Sequence, residues 1–169
     1  MRKVILFSLL LLLPAATALA ALKTNDIAPT FSLRDREGKD FYLSDVVGET
    51  KKGKGSGVII SFFATWCAPC RSELPLINSL VDELKEKGVT VVLVDIKEDF
   101  DTIGAFLSEL NVDKPVVLSD HDGKIAGKYQ IRFLPTTFFI GSDGKVKDMI
   151  FGEIFDAKEL RQSAGKLLK

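Results

Sequence analysis

The sequence predicts a single α/β domain built around a parallel βαβ unit. Residues 58–64 and 89–96 form two near-continuous apolar runs, as expected of strands that are buried on both faces. Between them, apolar residues recur at helical spacing, which predicts a helix that crosses from one strand to the next in the right-handed sense. The chain has 169 residues, of which 46% are hydrophobic, and this suits one domain with a full core.

The N-terminus has the pattern of a secretory signal. Two basic residues precede an apolar run over residues 4–13, and small residues then continue to Ala20. The run is too short for a comfortable membrane span, so we expect cleavage after Ala20, whereas an uncleaved signal would anchor the protein in the membrane. The expected division is a signal peptide at 1–20 and one domain at 21–169, which is exported to an oxidising compartment, the periplasm.

Neither charge nor motifs indicate binding to nucleic acid or nucleotides. The 23 basic residues balance the 23 acidic residues, so the chain lacks the basic footprint of a nucleic-acid-binding protein. The glycine- and lysine-rich segment 48–57 superficially resembles a phosphate-binding loop. However, Gly55 stands where that motif needs Ser or Thr, and a strand follows instead of a helix. We therefore expect a solvated loop and no nucleic-acid partner.

Upstream of the βαβ unit, the sequence predicts a β-hairpin and one helical turn. Residues 31–33 and 41–43 are short apolar segments on either side of a polar turn that contains glycine. Ser44 and Asp45 can cap a helical turn that ends near Gly48.

Within the βαβ unit and after it, capping residues and helix-breaking residues indicate where the helices begin and end. Pro75 should bend the connecting helix, which Gly88 ends. Asp99 or Asp101 can cap the next helix, and Asp156 can cap the last one. The inward residues of the last helix should be Leu160, Ala164, Leu167 and Leu168. The predicted elements are a helix at 99–110, a strand at 115–118, a turn at 120–123, a helix at 124–129, a hairpin at 133–151 and a helix at 157–168.

The chain has only two cysteines, Cys67 and Cys70, and they lie at the start of the connecting helix. Two thiols at this spacing can close a small disulfide ring and open it again. The free N–H groups and the positive end of the helix dipole favour a thiolate at the first sulfur, so the pKa of Cys67 should fall below that of a free cysteine. Pro69 suits the first turn because it has no N–H to lose. The pattern indicates a dithiol/disulfide exchange site, with Cys67 attacking and Cys70 resolving.

Two other interpretations of the cysteine pair are a zinc site and a structural disulfide. A zinc site usually needs four ligands, whereas the pair supplies two, and the only histidine, His121, lies in a polar turn. A disulfide that closes so short a loop removes little chain entropy and stabilises weakly, although short bridges do occur in exported proteins. The position at a strand-to-helix junction favours redox chemistry.

The order of these motifs resembles the thioredoxin superfamily. Trp66 and the Cys-x-x-Cys follow a strand, a proline-containing helix and another strand come next, and Leu134-Pro135-Thr136 precedes a hairpin. More narrowly, the chain resembles the exported TlpA/ResA-like thiol-disulfide oxidoreductases, which have a redoxin-type (AhpC/TSA-type) domain. The segments that carry this narrower resemblance are residues 28–45, 71–75 and 99–118.

The resemblance covers residues 26–168 and implies a thioredoxin-like fold. In that fold a central mixed β-sheet is flanked by helices, with an N-terminal β-hairpin and a central helix-strand insertion. Cys67 would be the exposed nucleophile and Cys70 the partly buried resolving thiol, while Pro135 would be a cis-proline that faces the disulfide. From the residues alone, Pro135 is either a simple edge-strand proline or a cis bond. The implied substrate-binding residues are Trp66, Leu134 and Thr136.

One position departs from the thioredoxin pattern. Many thioredoxins carry a buried Asp six residues before the first cysteine, where this chain has Ser61. ResA-like proteins place a Glu near the site, three residues after the second cysteine, and Glu73 matches it. A half-buried carboxyl on the helix face of Cys70 could have a raised pKa and take the Cys70 proton. The alternative is a solvent-facing Glu73 that only complements the helix dipole.

These features predict an exported thiol-disulfide oxidoreductase that reduces disulfides in client proteins. Maturation of cytochrome c or of other metalloproteins is the natural role within the family. The reaction requires no cofactor, but a membrane thiol-electron donor has to reduce the cysteine pair again. We expect a monomer.

Three other functions are weighed against this one. A disulfide-forming oxidase would share the fold and differ in reduction potential, which is about −270 mV for thioredoxin and about −120 mV for DsbA. A copper chaperone could use the two soft thiolates, although such scaffolds commonly have wider cysteine spacing and a histidine. A peroxidase is disfavoured, because Ile60 and Ala64 occupy positions where that motif needs Pro and Thr or Ser.

Overall fold

The computed structural model describes residues 21–168, and the predicted signal at 1–20 lies outside them. Within this part of the chain, no helix is both long and apolar enough to cross a membrane. In chain order the elements are β1 (Ser32–Arg34), β2 (Asp40–Tyr42), α1 (Leu43–Val46), β3 (Gly57–Phe63), α2 (Ala68–Glu86), β4 (Val89–Ile96), α3 (Phe100–Glu109), β5 (Val116–Asp120), α4 (Lys124–Lys128), β6 (Thr136–Gly141), β7 (Val146–Phe151), α5 (Ala157–Ala164) and a 3₁₀ turn (Gly165–Leu168).

A five-stranded mixed sheet forms the centre, in the order β5-β4-β3-β6-β7. The βαβ unit makes β3 and β4 parallel, and β5 continues the parallel half. The hairpin of β6 and β7 adds two antiparallel strands on the other side of β3. Every residue of β3 is buried, because it is the middle strand and both of its faces are covered. The thioredoxin-like α/β fold expected from the sequence is confirmed.

The side chains of β3 alternate between two apolar layers. Ile59 and Phe63 pack with residues of α2, α3 and α5, whereas Ile60 and Phe62 pack with the N-terminal hairpin, α1 and Tyr129. The Tyr129 hydroxyl donates a hydrogen bond to the carbonyl of Pro29 at 2.9 Å, which ties the N-terminal segment to the second layer. The sheet is therefore covered on both faces, and its carboxyl-terminal edge stays free for the site.

The N-terminal hairpin pairs β1 with β2 as predicted, but the capping prediction for the next turn was wrong. Helix α1 begins at Leu43, with Tyr42 as N-cap and no side-chain cap, so Ser44 and Asp45 lie inside the turn. Leu43 is fully buried, and its N–H donates to the carbonyl of Phe31. Burial of Leu43 in the second layer, rather than a polar cap, sets where the turn starts.

The predicted caps of α3 and α5 are confirmed, but the end of the last helix and the end of β5 differ from the prediction. Asp99 accepts a hydrogen bond from the backbone N–H of Thr102 at 2.8 Å, which decides between the two candidate caps of α3. Asp156 caps α5 in the same way. However, α5 changes to a 3₁₀ turn at Gly165, and Leu168 is 49% exposed instead of inward, because the tighter turn rotates it away from the core. Strand β5 also extends to a buried Asp120, two residues beyond the predicted end.

Candidate active site

Both cysteines lie where β3 turns into α2, and they form a disulfide with an S–S distance of 2.05 Å. Cys67 is the N-cap residue of α2, and its N–H donates to the carbonyl of Ala64 at 3.1 Å. The Cys67 Sγ accepts a hydrogen bond from the backbone N–H of Cys70 at 3.2 Å. A backbone donor aimed at this sulfur stabilises negative charge on it, so the geometry favours a Cys67 thiolate once the disulfide is reduced.

The two sulfurs differ in exposure, although both residues are more buried than the sequence indicated. Cys67 is 5% exposed rather than openly exposed, and Cys70 is fully buried rather than partly buried. Ala68 and Pro69 between them are exposed, so the burial is confined to the two cysteines at this turn. A client can approach the pair only at Cys67, because Cys70 has no exposed surface.

An apolar groove of about 480 Å³ opens at Cys67. Two large side chains of the groove are exposed, Trp66 by 72% and Phe133 by 67%, and Leu134 also lines it. An exposed apolar patch of this kind marks a surface for another protein. Trp66 and Leu134 were predicted from the sequence, whereas Phe133 was not, and its only signal is its position directly before the Leu134-Pro135 pair.

The Leu134–Pro135 peptide bond is cis, which is one of the two conformations that the sequence left open. The carbonyl of Pro135 accepts a hydrogen bond from Gly152 N at 2.9 Å, so it is tied to the end of β7. Thr136 is buried, and its hydroxyl donates to the carbonyl of Phe133 at 2.8 Å. Thr136 thus supports the loop that forms the groove wall, while Leu134 contributes directly to the wall.

Glu73 lies in the interior, one helical turn after Cys70, and is only 1% exposed. The alternative of a solvent-facing Glu73 is therefore wrong, and the residue is buried more deeply than the expected half-buried carboxyl. Its Oε2 accepts a hydrogen bond from the backbone N–H of Ile154 at 2.8 Å. Its Oε1 accepts from Ser61 Oγ at 3.2 Å and from Thr137 Oγ1 at 3.5 Å.

Burial raises the pKa of Glu73 from its ordinary 4.5 to about 7, although the hydrogen bonds from Ile154, Ser61 and Thr137 act in the lowering direction. At neutral pH the carboxyl is therefore present both with and without its proton. Cys70 and Glu73 are both buried residues of α2 at i and i+3, which places their side chains on the same helix face. A carboxyl with these properties suits proton exchange with a buried thiol.

None of the three hydrogen-bond partners of Glu73 was predicted from the sequence, although Ser61 was named as the residue that replaces the usual Asp. Thr137 had a weak signal, since it is a hydroxyl residue within an otherwise apolar strand, as Ser61 is. Ile154 acts through its backbone N–H and has no signal in sequence. Ser61 lies on β3, Thr137 on β6 and Ile154 in the segment between β7 and α5, so only the folded chain brings them together.

The site contains no cluster typical of a metal centre. Across residues 21–168, no group of three or more His, Cys, Asp or Glu side chains could hold a metal ion. His121 is exposed in the turn after β5. Ile60 and Ala64, which replace the polar residues of the peroxidase motif, are fully buried among apolar residues.

A redox-active cysteine pair at a helix start, with a cis bond after Leu134 of the same groove and on this mixed sheet, defines a thiol-disulfide oxidoreductase of thioredoxin-like fold. Residues 24–149 match the model of the AhpC/TSA family. The thiol-disulfide oxidoreductase ResA of Bacillus cereus is 40% identical over 126 residues, which cover 75% of this chain and 68% of the relative. The ResA of Bacillus subtilis is 36% identical over 130 residues, which cover 77% and 68%.

A structural neighbour agrees with these relatives. A Chlorobium tepidum protein described as the thiol:disulfide interchange protein DsbE superposes with a TM-score of 0.76 at 30% identity, covering 88% of this chain and 100% of the neighbour. The chain belongs to the AhpC/TSA family and, within it, to the ResA-like thiol-disulfide oxidoreductases.

Proposed function

We propose that the protein is an exported reductant of disulfides in client proteins, with Cys67 as nucleophile, Cys70 as resolving thiol and Glu73 as the acceptor of the Cys70 proton. Trp66, Leu134 and the loop around Pro135 and Thr136 form the surface that receives the client. The observation that carries this proposal is the asymmetry of the pair. Cys67 opens into an apolar groove, whereas Cys70 is sealed in the interior with Glu73 on its helix face.

The asymmetry assigns an order to the chemical steps. The Cys67 thiolate attacks a client disulfide, so an S–S bond forms between Cys67 and the client and the second client sulfur leaves as a thiolate. Cys70 then gives its proton to Glu73 and attacks the Cys67 sulfur, which releases the first client sulfur as a thiolate. Two electrons pass from the cysteine pair to the client, and the disulfide between Cys67 and Cys70 remains.

The proposed reaction takes place outside the cytoplasm and needs two kinds of partner, an electron donor and a client. The pattern of residues 1–20 supports export, either by cleavage after Ala20 or as a membrane anchor. An oxidising compartment does not restore the dithiol by itself, so a membrane thiol-electron donor has to supply the electrons. Clients with cysteine pairs, such as apocytochrome c or other metalloproteins, fit a reductant in that compartment. In this proposal the protein acts as a monomer and binds one client at a time in the groove at Cys67.

The reduction potential of the Cys67–Cys70 pair tests the direction of electron flow. The protein is equilibrated with dithiothreitol or glutathione buffers, and the thiol content is measured. We expect a potential at or below about −270 mV, the value typical of thioredoxin. A value near −120 mV, the range of DsbA, would make the protein an oxidase and refute the proposal.

Two features of the site influence that potential in opposite directions. The N–H of Cys70 that points at Cys67 Sγ stabilises the thiolate and therefore the reduced form, which raises the reduction potential toward that of an oxidant. The buried carboxyl of Glu73 adds negative charge near Cys70 when it is ionised, which disfavours a second thiolate and so favours the disulfide. Measuring the potential of Glu73→Gln beside the wild type separates the two, because only the second effect is lost in the variant.

A further inference from the structure

A second carboxylate contacts the active-site turn from another part of the sheet. Thr65 lies two residues before Cys67 and donates two hydrogen bonds to the Glu98 carboxylate. Its backbone N–H donates to Glu98 Oε2 at 2.7 Å, and its hydroxyl donates to Glu98 Oε1 at 2.5 Å. Hydrogen bonds to an ionised carboxylate are stronger than neutral ones, and a two-point contact also fixes orientation. Each carboxylate oxygen of Glu98 therefore accepts a hydrogen bond from Thr65.

Glu98 is itself held in place by the ends of β4 and β5. Its backbone N–H donates to Asp95 Oδ1 at 3.0 Å, and its carbonyl accepts from Ser119 Oγ at 2.7 Å. These contacts exist because β3, β4 and β5 are parallel, so the loops after them meet at one edge of the sheet. The loop after β4 thus presents Glu98 to the loop after β3, which carries Cys67.

We propose that Glu98 is a positioning residue for thiol-disulfide exchange, because its carboxylate fixes the turn of residues 64–67 and thereby the placement of Cys67 at the start of α2. We also infer that the buried carboxyl of Asp95 controls this contact, which loosens when Asp95 ionises. Both statements deepen the proposed function and rest on Cys67 as the attacking thiol.

The geometry of the turn explains why Thr65 matters. Cys67 depends on two short contacts, the bond from its N–H to the Ala64 carbonyl and the bond from the Cys70 N–H to its sulfur. Thr65 lies between Ala64 and Cys67, and its side chain is tied to a different strand loop. If Thr65 moves, the sulfur loses alignment with its backbone donor and with an incoming disulfide, and such misalignment slows a displacement reaction.

Asp95 links this contact to pH. Asp95 is fully buried, and no N–H or O–H group of the other residues in 21–168 donates to its Oδ2. Burial first, then a side-chain hydrogen bond from the protonated Asp95 carboxyl to Glu98 and the charge of the Glu98 carboxylate, raise the pKa of Asp95 to about 8, and the Asp120 carboxylate on β5 acts in the same direction. Ionisation places a second negative charge beside Glu98, and repulsion between like charges weakens its hold on Thr65.

Two substitutions disrupt the contact, and two leave it intact. Thr65→Val is nearly isosteric and loses the hydroxyl bond to Glu98 Oε1 but keeps the backbone bond to Oε2, whereas Glu98→Ala loses both bonds. Thr65→Ser keeps the hydroxyl, and Glu86→Gln removes an exposed charge at the far end of α2 as a control for overall charge. The readouts are hydrogen exchange at the Thr65 amide in the oxidised protein and iodoacetamide alkylation of Cys67 in the reduced protein.

We expect Thr65→Val and Glu98→Ala to speed exchange at the Thr65 amide about tenfold and to slow Cys67 alkylation at least about fivefold. Thr65→Ser and Glu86→Gln should stay within about twofold of the wild type. Unchanged amide exchange and unchanged alkylation in both disruptive variants would overturn the proposal. Faster amide exchange together with no alkylation of Cys67 in any variant would support the Thr65–Glu98 contact and refute Cys67 as the attacking thiol.

The role of Asp95 is tested with Asp95→Asn in the oxidised protein, where no cysteine titrates. In the wild type, protection of the Thr65 amide, corrected for its intrinsic exchange rate, should fall about tenfold between about pH 7 and 9. Asp95→Asn, which mimics the protonated carboxyl, should match the wild type at pH 7 and show no such fall. A fall of the same size in Asp95→Asn would refute the inference that Asp95 controls the contact.

Discussion

Ser61 Oγ donates a hydrogen bond to Glu73 Oε1 at 3.2 Å, and this bond joins the middle strand β3 to the active-site helix α2. Ser61 stands at the position where many thioredoxins carry a buried Asp. In this protein the strand supplies a hydroxyl, and the helix supplies the carboxyl that the hydroxyl contacts. The ionisable group beneath the cysteine pair therefore comes from α2 instead of β3.

The burial of Glu73 predicts a pH dependence of stability in the oxidised protein. Its pKa is about 7 in the folded protein against an ordinary 4.5, so between these values the folded state holds more protons than the unfolded state. The free energy of unfolding should then fall as pH rises from 4.5 to 7, by about 3 kcal/mol from this group. Denaturant titrations of wild type and Glu73→Gln at several pH values measure it.

The comparison between the two proteins isolates Glu73, because all other groups are common to both. The difference in unfolding free energy should move in favour of Glu73→Gln as pH rises and then level off above pH 7. Parallel pH profiles for wild type and variant would show that the Glu73 carboxyl has an ordinary pKa.

Glu73 should also set the rate at which Cys70 resolves a mixed disulfide. We expect Glu73→Gln to slow this step at least about tenfold at pH 7, because the amide cannot accept the Cys70 proton. Ser61→Ala should move the inflection of the rate to higher pH, since Ser61 donates to the ionised form of Glu73 and lowers its pKa. Stopped-flow release of a chromophoric thiol from the mixed disulfide, from about pH 5 to 9, measures both effects. Identical profiles in all three proteins would exclude Glu73 as the proton acceptor.

The unequal exposure of the sulfurs predicts which variant traps a client. Cys70→Ser should accumulate a mixed disulfide with a disulfide-containing peptide, because Cys67 still attacks and nothing displaces the peptide. Cys67→Ser should accumulate none, because Cys70 has no exposed surface. Non-reducing electrophoresis and mass spectrometry of the adducts identify the attacking sulfur, and adducts at Cys70 would reverse the assignment.

The exposed aromatic side chains of the groove should contribute to client binding and not to the chemistry. Trp66→Ala and Phe133→Ala are each expected to raise KM for a peptide disulfide about five- to tenfold, because each removes a large exposed apolar contact. The matched control is Ile27→Ala, since Ile27 is 63% exposed and pairs with Lys145 near the opposite end of the sheet. Equal KM values in all three variants would place the client surface elsewhere.

Local patterns in the sequence were enough to predict most of the fold. The apolar runs of β3 and β4, the helical spacing of α2 and the caps Asp99 and Asp156 depend on residues that are neighbours in the chain. The cysteine pair at the start of α2 belongs to the same class, and so does the proline at the entrance of the last hairpin. The predicted cap of α1 failed because burial of Leu43 by distant segments overrode a local signal, whereas the predicted inward Leu168 failed because α5 tightens into a 3₁₀ turn.

The depth and partners of the site were decided by the tertiary structure. Glu73 is buried because β3, β6 and the segment after β7 surround it, and the contact of Thr65 with Glu98 joins residues 33 apart in the chain. Burial sets the pKa of a carboxyl through the loss of water, and water is excluded only by segments that fold together from far along the sequence. The sequence by itself therefore determined which residue types could react, and the folded chain decided how deeply Cys67, Cys70 and Glu73 are buried.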